Sequence, residues 1–504
     1  MHIGRKHKDE MKIFKAIKLT RDPIKCLGIY VGQNNDECEK LNWNNKIEQI
    51  DKIFQKWGKR GLTIFGKITL IKIFILPKLT FTATNTTLPE NIIKQLNTCL
   101  YNFIWGKRDR IKRNILIQKI ENGGVGMIDI DSHFQAVKAS WVSKIMNCEN
   151  NWNFLGKSYF DNFGKQYIAL QFSSVNERNL PMLKHVPKFY CEIIKAHSNA
   201  KFYEKPTTRE DILNEFVWGN ILISHNIKNK IQCIFFKSFM QQNIIKVKDL
   251  IFINGKIDQA YLHKTITEKQ NIFGEISSLT QALKPYKELL QNYTNYPNET
   301  HLDLNYVPLV RTCSDFYNIY IEKKREIPRS EIIYENEMYG QSIDFRLSYL
   351  NKVKLINNPK FAEFNYKVLH LILPCNDNLY KWGKQESNLC NICNTVETIV
   401  HLLYECSHAQ MFWNLVTNAT NIDISKFMVI FGNGCEIYNN IISMISYFIY
   451  KEWLIMKHEN KKRKWETTLP FLNKELNYQI SLYTLLKNPI VTNIMYNIKG
   501  ELNR

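Results

Sequence analysis

No run of about 18 consecutive apolar residues occurs in the 504-residue chain, so no membrane-spanning helix is expected. The nearest approach, Ile441 to Met456, is interrupted by Ser443, Ser446, Lys451 and Glu452 and reads as a buried or amphipathic helix. The N-terminal stretch carries charge in every turn without an apolar centre, so it is not a secretory signal. Its 12 cysteines are mostly single, unlike the framework of a small secreted disulfide scaffold. These absences point to an intracellular chain, nucleus and cytoplasm being left open. Acidic residues are the scarce charged class, 47 Asp and Glu against 68 Lys and Arg, for a net charge of +21. Such an excess points to a polyanionic partner, nucleic acid before an acidic membrane surface. A hydrophobic content of 44% and a charged content of 23% exclude a largely disordered or collagen-like chain. The length implies two to four domains.

The positive charge is unevenly placed. Residues 41–120 hold 15 basic and 4 acidic side chains, so +11 of the +21 lies in eighty residues. The stretch from 451 to the end adds +5, much of it in the run Lys461 to Lys464.

The basic block is also the clearest helical region. Trp43, Ile47, Ile50, Phe54 and Trp57 recur at intervals of 4, 3, 4 and 3, one face of a helix. Gly58 and Gly61, flanking Lys59 and Arg60, mark its end. The next segment is apolar nearly all round, as a central helix would be, with Pro77 expected to limit it. A third helix should start near Pro89, with Glu90 in its first turn and Ile92, Leu96, Leu100 and Phe103 as its stripe. It runs into a cluster of Lys107, Arg108, Arg110, Lys112 and Arg113 beside Trp105. Amphipathic spacing accounts for the aromatics as core, whereas charge of one sign on surface helices favours phosphate contact. Gly123, Gly124 and Gly126 lack a following Lys-Ser/Thr and read as a tight turn rather than a phosphate loop. Asp129 and Asp131 alternate as on a solvated strand face.

Near residue 400 the spacing changes character. Cys390 and Cys393 form a Cys-x2-Cys, followed by His401 and Cys406. A Cys-x2-Cys turn aims two sulfurs at one point, and a second pair closes a tetrahedron around zinc. His401 and Cys406 lie about 140° apart on an ideal helix, so the helix must bend or end before Cys406. His408 stands in reserve as a fourth ligand. Four protein ligands leave no place for substrate, so the zinc would be structural.

Several segments carry a family resemblance. The runs KCLGIYVG from Lys25, WGKRGLTIFGKITLIK from Trp57, LYNFIWGKRDRIKR from Leu100, GGVGMIDI and KASWVSKI from Lys138 resemble the reverse transcriptase of LINE-type, non-LTR retrotransposons, downstream of its catalytic centre. The stretch from Phe364 to Trp413 resembles the helix and zinc knuckle near the C-terminus of the same polyproteins. The resemblance implies a primer-grip-like hairpin at Leu27 and Gly28, then a helical thumb gripping nucleic acid through Lys56, Lys59, Arg60, Lys67, Lys107, Arg108, Arg110, Lys112 and Arg113. It implies a structural Zn2+ on Cys390, Cys393, His401 and Cys406. Family polymerases hold two Mg2+ ions on a Tyr-x-Asp-Asp type motif and an upstream Asp. This chain has no Asp-Asp dipeptide, so Mg2+ binding is not expected.

The expected architecture is mainly α, with a short N-terminal β hairpin, a helical thumb bundle, a mixed helical middle and a small zinc-knuckle lobe. Its expected blocks are an end-of-palm remnant at 1–40, the thumb at 41–150, a helical linker at 151–310, the knuckle domain at 311–430 and a basic helical tail at 431–504. The expected function is that of a truncated reverse transcriptase fragment that binds RNA or DNA without sequence preference and does not polymerise alone. One alternative is a part of an active RNA-directed DNA polymerase whose palm lies on another polypeptide. Another is a peripheral membrane-binding protein, without stable insertion.

Overall fold

The computed structural model describes residues 22–106, 108–147, 151–161, 186–200, 205–227, 230–266, 272–296, 311–338, 341–459, 469–485 and 489–502. Lys107 and the run Lys461 to Lys464 lie outside these. The fold is mainly α. Among the described residues its strands form three separate two-stranded antiparallel hairpins. Two of them, Ser224–Ile227 with Lys230–Cys233 and Phe252–Ile253 with Lys256–Ile257, fall where a helical linker was expected. The second is closed by Asn254 and Gly255, both at positive φ (50° and 76°), as the Asn-Gly hairpin turn requires.

The chain divides into two units that interleave in sequence. The first comprises Met1–Asp51, Phe74–Asn97 and Asp129–Lys324; the second comprises Lys52–Ile73, Thr98–Ile128 and Arg325–Arg504. The block expected at 41–150 thus contributes to both.

In the first unit, the N-terminal hairpin pairs Ile24–Cys26 with Ile29–Val31. Leu27 and Gly28 form its turn at φ 48° and 88°. Buried Asn42, on helix Asn35–Gly58, accepts the Tyr30 amide at 2.8 Å and donates to the Tyr30 carbonyl at 2.9 Å. Those two bonds satisfy an amide that would otherwise be costly to bury. Trp43, Ile47 and Ile50 of the same helix are buried, as their spacing requires. Asp129 is not on a strand. It caps helix Ile130–Ala139, accepting the Ser132 amide at 3.1 Å, and Lys324 pairs with both Asp129 and Asp131. An Asp ahead of a helix satisfies its orphan amides and matches its dipole, which outweighs the local alternation.

Pro77 does not end its helix. Helix Ile64–Leu70 passes through a π-helical turn, Ile71–Ile75, into helix Leu76–Asn85, with Pro77 in the first turn of the last. There proline's missing N–H costs nothing, and the widened turn before it relieves the ring's clash with the preceding carbonyls. The next helix runs Glu90–Trp105, with Ile92, Leu96 and Leu100 buried.

In the second unit, Phe103 stacks on Phe54 at 4.2 Å. The glycine segment is a structural turn. Gly123 lies at φ 79°, and a Cβ on Gly124 would stand 2.0 Å from the Gln118 carbonyl oxygen. The Gly123 carbonyl accepts the Tyr366 hydroxyl at 3.1 Å and faces His370 Nε2 at 2.8 Å. Helix Glu436–Glu459 buries Ile441, Ile442, Ile445, Ile449 and Trp453, together with the interrupting Ser443, Ser446 and Glu452. No helix among the described residues is long and apolar enough to cross a membrane.

One buried charge in this unit is unpaid. Lys352, on the π-helical turn Leu350–Lys354, is buried and its Nζ has no hydrogen-bond partner among the described residues. Burial pulls its pKa from 10.5 to about 7. The unfolded chain therefore keeps a proton between pH 7 and 10.5 that the folded chain has shed, so stability rises with pH across that window. Lys352→Met is one atom shorter, keeps an unbranched side chain in the same space and removes the charge penalty. The expected gain at pH 7 is on the order of 4 kcal/mol, shrinking by about 1.4 kcal/mol per pH unit above that. Urea denaturation at pH 7 and 9 checks it, and an unchanged or lowered midpoint at pH 7 refutes it.

Candidate metal centre and basic face

Residues 388–406 form a knuckle followed by a wide helical turn. The Glu397 amide donates to the Asn388 carbonyl at 2.8 Å, and the Cys390 amide to the Thr395 carbonyl at 2.7 Å. Asn394, at φ 56°, makes the tight return that this narrow ladder needs. Cys390 and Cys393 sit on that turn. His401–Glu405 is then π-helical, with the Cys406 amide bonded to the His401 carbonyl at 2.7 Å. The wider turn places residue i+5 nearly over residue i, and the chain leaves the helix at Cys406 with φ −60° and ψ 132°. This is the bend that the spacing demanded.

The four side chains converge. Cys390, Cys393, His401 and Cys406 present ligand atoms that all lie within 4.8 Å of one another. Cys406 Sγ is 3.9 Å from Cys390 Sγ and 3.8 Å from Cys393 Sγ. A tetrahedral zinc with Zn–S bonds of about 2.3 Å requires about 3.8 Å between its sulfurs, so the thiol positions fit this ion. They are too far apart for a disulfide. Burial pushes the Cys390 thiol up to about 12, despite hydrogen bonds from the Cys393 and Ile392 amides that favour the thiolate. At Cys393 burial is the largest influence and raises the pKa, but hydrogen bonds from the Ser407 hydroxyl and amide together with those of the Cys406 and Cys390 thiols hold it below its ordinary value. When bound, zinc would cross-link the knuckle to the following helix and leave no open position for chemistry.

Residues beyond the ligands brace the site. Glu397 Oε1 accepts the Trp453 indole N–H at 2.8 Å and the Asn376 amide at 3.1 Å. His408 is not a reserve ligand: its Nε2 faces Glu452 Oε2 at 2.5 Å, and both side chains are buried. Glu452, which reads in the sequence as a break in an apolar run, is there to meet His408. The sequence signal for Glu397, Glu452 and Trp453 is weak, since only an acid amid apolar residues hints at a buried partner.

The expected nucleic-acid contacts differ in availability. Lys56, Lys59, Arg60, Arg108 and Arg110 are exposed and make no ion pair among the described residues. Arg60 lies over the Trp57 ring at 4.5 Å. Lys67, half-buried, donates to the Ile104 carbonyl at 2.9 Å, closing the end of helix Glu90–Trp105. Lys112 pairs with Glu326 at 3.0 Å, and Arg113 with Asp109 at 2.8 Å while covering the Tyr101 ring. Lys67, Arg110 and Trp105 line a cleft of about 480 Å³ with Glu363 and Lys367. Lys367 is a cation that the sequence reading passed over, and it is paired with Glu363 at 2.7 Å. Leu27 and Gly28, at the hairpin turn, belong to the other unit.

Residues 312–413 match the family described as zinc-binding in reverse transcriptase. The match ends just beyond the fourth ligand and takes in the whole Cys3His cluster.

Proposed function

We propose that this chain is the nucleic-acid-gripping part of a LINE-type retrotransposon reverse transcriptase or a close derivative, in which a structural zinc braces the knuckle. The reading is of a phosphate grip without base readout, and not of a polymerase centre, since no Asp-Asp pair occurs in the chain. The observation that carries it is the set Lys56, Lys59, Arg60, Arg108 and Arg110, exposed and free of internal ion pairs among the described residues. These cations stand in the unit that also holds the zinc cluster. Exposed cations without an internal partner are available to neutralise a phosphate backbone.

A charge-reversed chain, Lys56→Glu with Lys59→Glu and Arg60→Glu, tests the reading by fluorescence anisotropy on a labelled RNA–DNA hybrid. Affinity should fall at least tenfold, equally for two unrelated sequences, and the salt slope should shrink by about three. Unchanged affinity, or a loss confined to one sequence, refutes it.

A further inference from the structure

A second surface of the zinc-bearing unit has the chemistry of an unpaired strand rather than of a duplex. Helices Pro359–Leu369, Glu436–Glu459 and Leu469–Leu485 enclose a groove of about 710 Å³. Its floor is aromatic: Phe361 is buried against Tyr447 at 5.2 Å. On its rim Phe471 and Tyr478 are 63% and 60% exposed. They are seven residues apart on one helix, so they stand two turns, about 10.5 Å, from each other on the same face. Large exposed rings on a helix that otherwise buries Leu472, Leu476 and Ile480 are not explained by packing.

The rim charge is of one dominant sign. Lys360, Lys451 and Lys474 line the groove, and none makes an ion pair among the described residues. The single acid, Glu475, is occupied by the amides of Asn358 at 3.4 Å and Gln479 at 3.0 Å. Open ring faces flanked by ammonium groups are the two elements by which proteins hold single strands: bases stack, and phosphates meet the cations.

We infer that this groove binds unpaired nucleotides of single-stranded RNA or DNA, with bases stacked on Phe471 and Tyr478 and phosphates held by Lys360, Lys451 and Lys474. The inference rests on the proposed nucleic-acid function but assigns a separate surface to a separate ligand form. Duplex DNA cannot use it, because paired bases do not offer their faces.

The test uses the full chain, a labelled twelve-nucleotide oligouridylate, and an RNA–DNA hybrid of the same length. The double variant Phe471→Ala/Tyr478→Ala should lose about 100-fold in oligouridylate affinity, roughly tenfold per ring, and change less than twofold on the hybrid. Both rings are largely exposed, so its melting temperature should match that of the parent chain. Phe471→Trp with Tyr478→Phe, which keeps the stacking faces, should bind oligouridylate within about threefold of the parent. Parental oligouridylate binding by the alanine double variant overturns the groove, as does a parent chain that binds hybrid but not oligouridylate. In both outcomes the phosphate grip stands. A parent that binds neither nucleic acid removes both proposals. Capture by phosphatidylserine vesicles that depends on the two rings, with oligouridylate binding unaffected by them, assigns the groove to lipid and overturns it too.

Discussion

Cys390→Ser, or Cys393→Ser, should abolish a stoichiometric zinc and release amide protection across the knuckle at 388–396, while the parent chain holds one zinc. The size of the effect follows from how little else holds that segment. Leu389, Ile392 and Val396 are all exposed, so residues 389–396 bury almost no apolar side chain besides the ligands; Ile399 and Val400, buried just before His401, anchor only the far end of the segment. What remains there is a short ladder, a left-handed Asn394, the Glu397 bonds to Trp453 and Asn376 at its base, and the convergence of three thiols and one imidazole. Structural zinc in small sites is worth on the order of 10–16 kcal/mol of apparent binding energy, far more than these contacts supply. Loss should be local: helix Ser407–Thr420 buries Phe412, Trp413 and Val416 and should keep its protection. Metal analysis with hydrogen exchange on parent and variants decides it. A metal-free parent whose knuckle is already protected would refute the site.

Affinity for nucleic acid should fall steeply with salt. Five exposed cations free of internal pairs neutralise about five phosphates. The expected slope of log affinity on log salt is then about −4.5, an approximately 500-fold loss between 50 and 200 mM. Counting all nine expected contacts would give a steeper response. Lys107 lies outside the described residues and is not counted, and the internal pairing of Lys112 and Arg113 and the carbonyl bond of Lys67 argue for the smaller figure, because an ammonium or guanidinium already bonded within the chain releases fewer counterions on binding. A flat salt response sinks the phosphate grip altogether. A slope near −8 would mean that the internal pairs break on binding.

Much of the fold was legible in the residues. The 4-3-4-3 recurrence from Trp43 to Trp57 places a helix and its buried face, and the stripe from Ile92 to Leu100 does the same for the helix that starts at Glu90. An Asn-Gly between Ile253 and Lys256 marks a hairpin inside a region read as helical, and that signal was present but overlooked. Pro77 and Asp129 misled for one reason: each residue type has two structural uses, and position decides between them. Proline ends a helix from within but begins one from its first turn, and aspartate serves a solvated strand or a helix cap.

The four converging side chains of the candidate metal site were legible in the sequence alone. Cys-x2-Cys, a histidine and a third cysteine lie within 17 positions, and coordination geometry is short-ranged enough for spacing to specify it. Tertiary structure decided everything that depends on a distant partner. It gave His408 to Glu452, 44 residues away, bonded Glu397 to Trp453 across 56, and separated five available cations from those already paired. Local spacing follows from backbone periodicity. Which charge is buried against which depends on how remote helices pack, and no periodicity in the chain encodes that directly.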